Sequence, residues 1–189
     1  FKDREARVGL SHGVPVQQII DKIYHGLAFR QTGPFLPGSK WEHPDVKPIP
    51  YDLEKAKQFL DKAGWKDTNK DGTRDKVVEG KKVEFKFNLM IYSGSPTYQQ
   101  IAEIIKNEFT KLGIGVQINP TKWELMLQKL RKKDYDATIL GWVSDYKSDP
   151  FQIWHGSQAD IPESSNSGSY KNEEVDKLIT KLHVTLEEK

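Results

Sequence analysis

The chain has 189 residues, with 29 basic against 27 acidic side chains and a formal charge of +2, so its composition carries no nucleic-acid footprint. It lacks cysteine, which excludes disulfides, thiolate metal sites and a cysteine nucleophile. No apolar run approaches the ~18 residues of a membrane-spanning helix, and no signal peptide opens the chain. The length suits one large domain or two small ones and is enough to bury a real core. The first residues, FKDREARVGLSHGV, read as the inside of a fold, which is the expectation for part of a longer protein.

Residues 4 to 28 predict one or two helices. Ala6, Val8 and Leu10 lead into a second unit with Pro15 in its first turn, an Ile19, Ile20, Ile23 stripe and a closing Gly26. Five prolines and two glycines between Gln31 and Pro50 block regular structure, and Trp41 is expected to pin this meander to the body. Asp52 caps a predicted helix through Ala56, Phe59, Leu60 and Ala63, ended by Gly64. Val83, Phe85, Phe87, Leu89 and Ile91 alternate, predicting one strand. Ser95 and Pro96 open a helix with Ile101, Ile104, Ile105, Phe109 and Leu112 inward, and a second strand, Ile114 to Ile118, follows Gly113.

Strand, helix, strand predicts a right-handed crossover and a parallel pair. Thr121 and Glu124 predict a capping box before a helix bearing Trp123, Leu125, Met126, Leu127 and Leu130. The dense basic run Lys129 to Lys133 falls at the end of that helix, where cations suit the dipole, so it is no nucleic-acid signal. Asp136 to Trp142 is the third predicted strand. Asn172 caps a last helix with Val175, Leu178, Ile179 and Leu182, and residues 157 to 169 are left irregular. The pattern is α/β in one domain.

Two constellations carry chemistry. In DTNKDGTRD, Asp67, Asn69, Asp71 and Asp75 occupy relative positions 1, 3, 5 and 9, with Gly72 at 6. Together with the Thr73 carbonyl, that is the oxygen spacing of a structural calcium loop, although Val78 stands where a bidentate glutamate is expected. The alternative is an acidic turn satisfied by its own side-chain hydrogen bonds. In DYDATILGWVSDYKSDPFQIWHGS, a strand ends at Gly141 and Trp142, and Asp145 follows three residues later. An aromatic wall beside a carboxylate can hold a ligand that carries a cation, and Asp149 and Trp154 lie close behind. The alternative there is a core tryptophan beside solvated acids. The five histidines are scattered, and a Ser157 beside His155 does not make a triad. No glycine-rich phosphate loop precedes a helix.

In their order these segments resemble the second lobe of the bacterial family 5 extracytoplasmic solute-binding proteins, the oligopeptide- and dipeptide-binding components of ABC importers. REARVGLSHGVPVQQIIDKIYHGLA is similar to the family's helical entry, and TGPFLPGSKW to its Gly-Pro loop. YDLEKAKQFLDKAGWKDTNKDGTRD resembles its AGW and DxNxDG signature, DYDATILGWVSDYKSDP its strand ending in Trp-x-x-Asp, and SNSGSYKNEEVDKLI its closing segment. The likeness covers essentially all of residues 1–189.

The resemblance implies a single lobe of a two-lobed, type II periplasmic-binding-protein-like fold with a mixed sheet flanked by helices. The first lobe and hinge would lie outside the chain, with Phe1 and Lys189 close together at that hinge. It further implies a peptide or other small solute as ligand, a membrane ABC permease as partner, and an extracytoplasmic setting, either periplasmic or as a membrane-anchored lipoprotein. No enzymatic activity and no required cofactor are implied. In peptide-binding members the Trp-x-x-Asp acid pairs with the ligand's free α-amino group; the matching residue is Asp145, with Gly141, Trp142 and Trp154 as further contacts. WHGSQA departs from the family pattern at Gly156 and Ser157. The rival from another class is a calcium-stabilised extracellular interaction module using residues 157 to 169; a carboxylate-dependent hydrolase comes third.

Overall fold

The computed structural model describes residues 3–143 and 149–185. The expected meeting of Phe1 and Lys189 therefore lies outside the described residues. In chain order the elements are α1 (Arg4–Gly13), α2 (Val16–Ile23), α3 (Leu53–Lys62), β1 (Asp75–Val78), β2 (Lys81–Glu84), β3 (Lys86–Tyr92), α4 (Pro96–Lys111), β4 (Gly115–Thr121), α5 (Trp123–Lys132), β5 (Ala137–Thr138), α6 (Phe151–Trp154) and α7 (Glu173–Val184).

Four helices begin on short polar side chains that accept otherwise orphaned amides. Asp3 caps α1 through Glu5 and Ala6, Asp52 caps α3 through Lys55, Ser95 caps α4 through Tyr98, and Asn172 caps α7 through Glu174 and Val175. Pro15 sits at the cap position of α2 rather than inside its first turn. The predicted capping box at Thr121 does not form. Thr121 is buried as the last residue of β4, opposite Tyr92, and its hydroxyl donates to the Asn119 carbonyl at 3.1 Å. Sheet pairing claims the residue first, so α5 starts without a side-chain cap.

The strands form a mixed arrangement: an antiparallel hairpin, β1 with β2, and a parallel sheet in the order β4-β3-β5. The single strand expected over Val83–Ile91 is divided. Val83 belongs to the hairpin and is exposed, whereas Phe87, Leu89 and Ile91 are buried in β3. Phe85 is the joint, because its amide donates to the Arg74 carbonyl at 2.7 Å while its carbonyl accepts the Gly115 amide at 2.9 Å. The strand expected over Asp136–Trp142 shortens to β5, extended by one bond from the Ile139 amide to the Met90 carbonyl.

One face of β3, with β4, forms the core with α1, α3 and α4. Ala56, Leu60, Phe87, Leu89, Ile91, Ala102, Phe109 and Leu112 are its buried centre. Phe87 meets Phe109 of α4 edge-on at 6.2 Å, which fixes α4 to that face. On the opposite face Met90 is buried, and Tyr92 meets Trp123 of α5 at 5.8 Å and 71°. The two crossover helices thus cover opposite faces of one parallel sheet.

Candidate ligand-binding edge

Topology marks a candidate edge. The chain leaves β3, passes over one face through α4 and returns as β4; it then crosses the other face through α5 and returns as β5 on the far side of β3. In open parallel sheets, ligands bind outside the carboxyl ends of the strands at such a reversal. Here those ends carry Tyr92, Ser93 and Gly94 after β3, and Leu140, Gly141 and Trp142 after β5.

The residues at this edge leave apolar surface in solvent. Trp142 is 57% exposed and Val143 97%, and Trp123 keeps 44% exposure beside Tyr92. Gly141 has a steric reason. A Cβ there would meet the Tyr98 hydroxyl at 3.1 Å, so glycine lets the chain leaving β5 pass the first turn of α4. Similarly, the Tyr92 hydroxyl lies where a Cβ at Gly94 would sit. The expected contacts Gly141 and Trp142 are therefore together at the strand ends, and Trp142 is not a core residue. Asp145 lies outside the described residues. Periodicity alone places Trp123 on a helix face and gives Tyr92 no role; aromatics at or just beyond the ends of neighbouring strands are the signal that points to both.

Trp154 packs edge-on to Tyr170, with ring centroids 5.5 Å apart, in a groove of about 480 Å³ shared with Phe35 and with Leu178 and Leu182 of α7. Asn166, 1% exposed, braces this region by donating to the Tyr170 carbonyl and accepting the Tyr170 amide, each at 2.8 Å. Residues 157 to 169 begin within a short 3-10 turn, Gly156–Gln158, and are otherwise irregular but anchored: the Tyr135 hydroxyl donates to the Ser167 carbonyl at 2.7 Å, and Lys133 donates to the Ala159 carbonyl. The His155–Ser157 contact, 2.9 Å, belongs to a tight turn in which the His155 imidazole also accepts the Ser157 amide. Its other nitrogen faces the Thr180 hydroxyl at 3.5 Å, an alcohol rather than the carboxylate a triad needs.

The acidic loop turns its oxygens on its own chain. Asp67 accepts the Asp71 and Gly72 amides, and Asp71 accepts the Thr73 amide and the Asn69 side chain. Asp75 accepts the Thr68 amide and hydroxyl and pairs with Lys82 at 3.1 Å. These hydrogen bonds hold the Asp71 and Asp75 carboxyls below their ordinary values, despite an opposing contribution from desolvation. Among the described residues no three carboxylate or imidazole groups are placed to hold a metal ion. Of the calcium ligands expected at Asp67, Asn69, Asp71, Thr73 and Asp75, the three aspartate carboxylates accept hydrogen bonds from within the loop and the Asn69 side chain donates one to Asp71. The loop also delivers Arg74, whose guanidinium donates to the Leu112 carbonyl at 2.7 Å, the Trp65 carbonyl at 2.5 Å and Asp61. That side chain ties the ends of α3 and α4 together.

Residues 1–161 match the family described as bacterial extracellular solute-binding proteins, family 5 middle. The oligopeptide-binding protein AppA of Bacillus subtilis is 34% identical over 187 residues, covering 95% of this chain and 33% of that protein. The structure of AppA with a nonapeptide superposes with a TM-score of 0.84 at 32% identity, over 99% of this chain and 37% of that one. The structure of NikZ from Campylobacter jejuni with Ni(L-His) gives 0.85 at 27% identity, over 98% and 36%. The chain spans about a third of the length of the curated relatives it matches. It belongs to family 5 of the bacterial extracellular solute-binding proteins.

Proposed function

We propose that this chain is one lobe of an extracytoplasmic receptor that captures oligopeptides or similar solutes and delivers them to a membrane ABC permease. The observation that carries it is the exposed aromatic edge at the carboxyl ends of β3 and β5, leading directly into the sequence Trp142-Val-Ser-Asp145 in a chain of this family. Trp142 and Trp123 supply apolar walls, and the backbone leaving β5 at Leu140 to Trp142 offers amides and carbonyls to an extended peptide. Asp145 supplies the carboxylate for the peptide's α-amino group, an ammonium that would otherwise be desolvated unpaired. Trp154 is a more distant support. The opposite wall of the cleft belongs to a first lobe elsewhere in the parent protein, and capture of this kind needs no cofactor. Relatives whose structures hold Ni(L-His) take a different cargo on the same fold, so the acid at 145 is what favours peptides here.

In the full-length parent, Asp145→Ala should weaken binding of a peptide with a free amino terminus by ~2–5 kcal/mol. Isothermal calorimetry giving the same affinity for native and variant protein would remove the assignment.

A further inference from the structure

We infer that the free edge of β5 is an intramolecular docking site: a strand from the part of the parent protein outside residues 1–189 pairs with it and fills the apolar groove beside it. The partner is thus an extended segment with apolar residues at alternate positions. Docking of this kind is independent of which solute is bound.

The two edges of the parallel sheet differ. On β4, the Gly115 amide donates to the Phe85 carbonyl and the Thr121 carbonyl accepts the Ser93 amide. Odd-numbered backbone groups therefore face β3, and even-numbered ones face outward. One of the outward positions is Pro120, which has no amide to offer, and proline blunts an edge in this way. On β5, the Ile139 amide donates to the Met90 carbonyl, so the amide and carbonyl of Thr138 face outward. No proline stands between Asp136 and Trp142 to block them. The Thr138 amide finds no carbonyl outside the β3–β5 ladder among the described residues, although the residue is half-buried. Below it, the Asp136 carboxylate takes the Asn88 amide at 2.9 Å, which ends the ladder and leaves β5 two residues long.

Beside this edge lies a groove of about 290 Å³, walled by Leu10 of α1, Val14 at its end, Ile105 of α4, and Ile139. All four are half-buried and pack against the buried core, so the core runs out to the edge of β5 and stops there uncovered. Exposed backbone along one line and apolar side chains next to it fit a β-strand better than a helix or a loop, since only a strand meets both at once. The source of that strand follows from length. The chain spans 33% of its Bacillus subtilis relative, so a parent of that size carries ample further chain. A tethered segment meets the edge at an effective concentration on the order of millimolar, far above that of a second copy.

The test is amide hydrogen exchange in the ligand-free, full-length parent, read residue by residue by fragmentation mass spectrometry. The Thr138 amide should exchange roughly a hundredfold or more below the rate of an unstructured amide, as a paired strand does. Adding a nonapeptide with a free amino terminus should leave that rate unchanged. In the same protein, a photo-crosslinking benzoylphenylalanine in place of Ser11, which lines the groove, should join the groove to residues of the same chain outside 1–189. Fast exchange at Thr138 in the ligand-free parent would overturn the pairing. Slow exchange only after the nonapeptide is added would assign the edge to bound peptide and overturn it too. Cross-links confined to residues 1–189 would leave the groove without the proposed occupant, and a cross-linked dimer would give it to a second copy; either result overturns the docking.

Discussion

Removing the Asn166 side chain should loosen the region between α6 and α7 while leaving the sheet intact. Asn166 uses three of the four hydrogen bonds its amide can make: two of 2.8 Å to the backbone of Tyr170 and one of 3.4 Å to the His155 carbonyl. In Asn166→Ala the two short bonds are worth ~1 kcal/mol each, and the groups left behind recover only part of that from water. The expected loss is ~2–3 kcal/mol. With a urea slope of ~2–3 kcal/mol per molar for a chain of this size, the unfolding midpoint should fall by about 1 M. Amide exchange at Tyr170 should speed up more than exchange in β3, because Tyr135 and Lys133 still tie the loop to the body. Asn166→Asp should be at least as damaging at neutral pH, since it loses both donors and places a carboxylate where Asn166 is 1% exposed. An unchanged midpoint together with native exchange at Tyr170 would refute the bracing role.

Thermal melts in millimolar calcium and in chelator should coincide, because the carboxylates of the 67–75 loop already accept hydrogen bonds from their own turn; a rise in Tm with calcium would restore a metal site there. Glu108 is buried, and desolvation opposes its ionisation, yet bonds from Lys111 and Tyr51 and the charges of Lys111 and Lys22 keep its pKa below the ordinary value. A depressed carboxyl stabilises the fold above its unfolded pKa and ceases to do so as pH falls through the folded one. The stability gap between native protein and Glu108→Gln should therefore be full at pH 7 and shrink below ~4.5; a gap independent of pH in urea titrations would contradict this. Leu60 is fully buried between α1 and the core, so Leu60→Ala should cost ~3 kcal/mol in the same assay.

Where apolar residues alternated or recurred at helical spacing, the sequence was a good guide. Asp3 aside, the capping side chains of the long helices were legible, as was the parallel pair of β3 and β4. The hairpin was not. Val77, Val78 and Val83 stay exposed, so no buried face marks β1 and β2, and their turn is Glu79-Gly80 with both φ positive. That geometry suits the two-residue hairpin turn, but Glu-Gly is a weaker signal than Asn-Gly. Thr121 was misread because a cap and a sheet partner compete for one residue, and only the tertiary structure decides between them. The candidate site was half legible. Gly141 and Trp142 were found from the end of an apolar run, whereas Tyr92 and Trp123 join them only through the order β4-β3-β5, which no local pattern encodes. Trp154 is grouped with them by closeness in sequence, and its contact with Tyr170, sixteen residues on, is one that no local pattern encodes.

The most direct measurement is mass spectrometry of whatever is released when the full-length parent, purified from its native host without added ligand, is denatured. The proposed capture of peptides through the Asp145 carboxylate predicts oligopeptides with free amino termini, at close to one per protein and varied in sequence. A single non-peptide cargo, such as a metal chelate or a sugar, would contradict it.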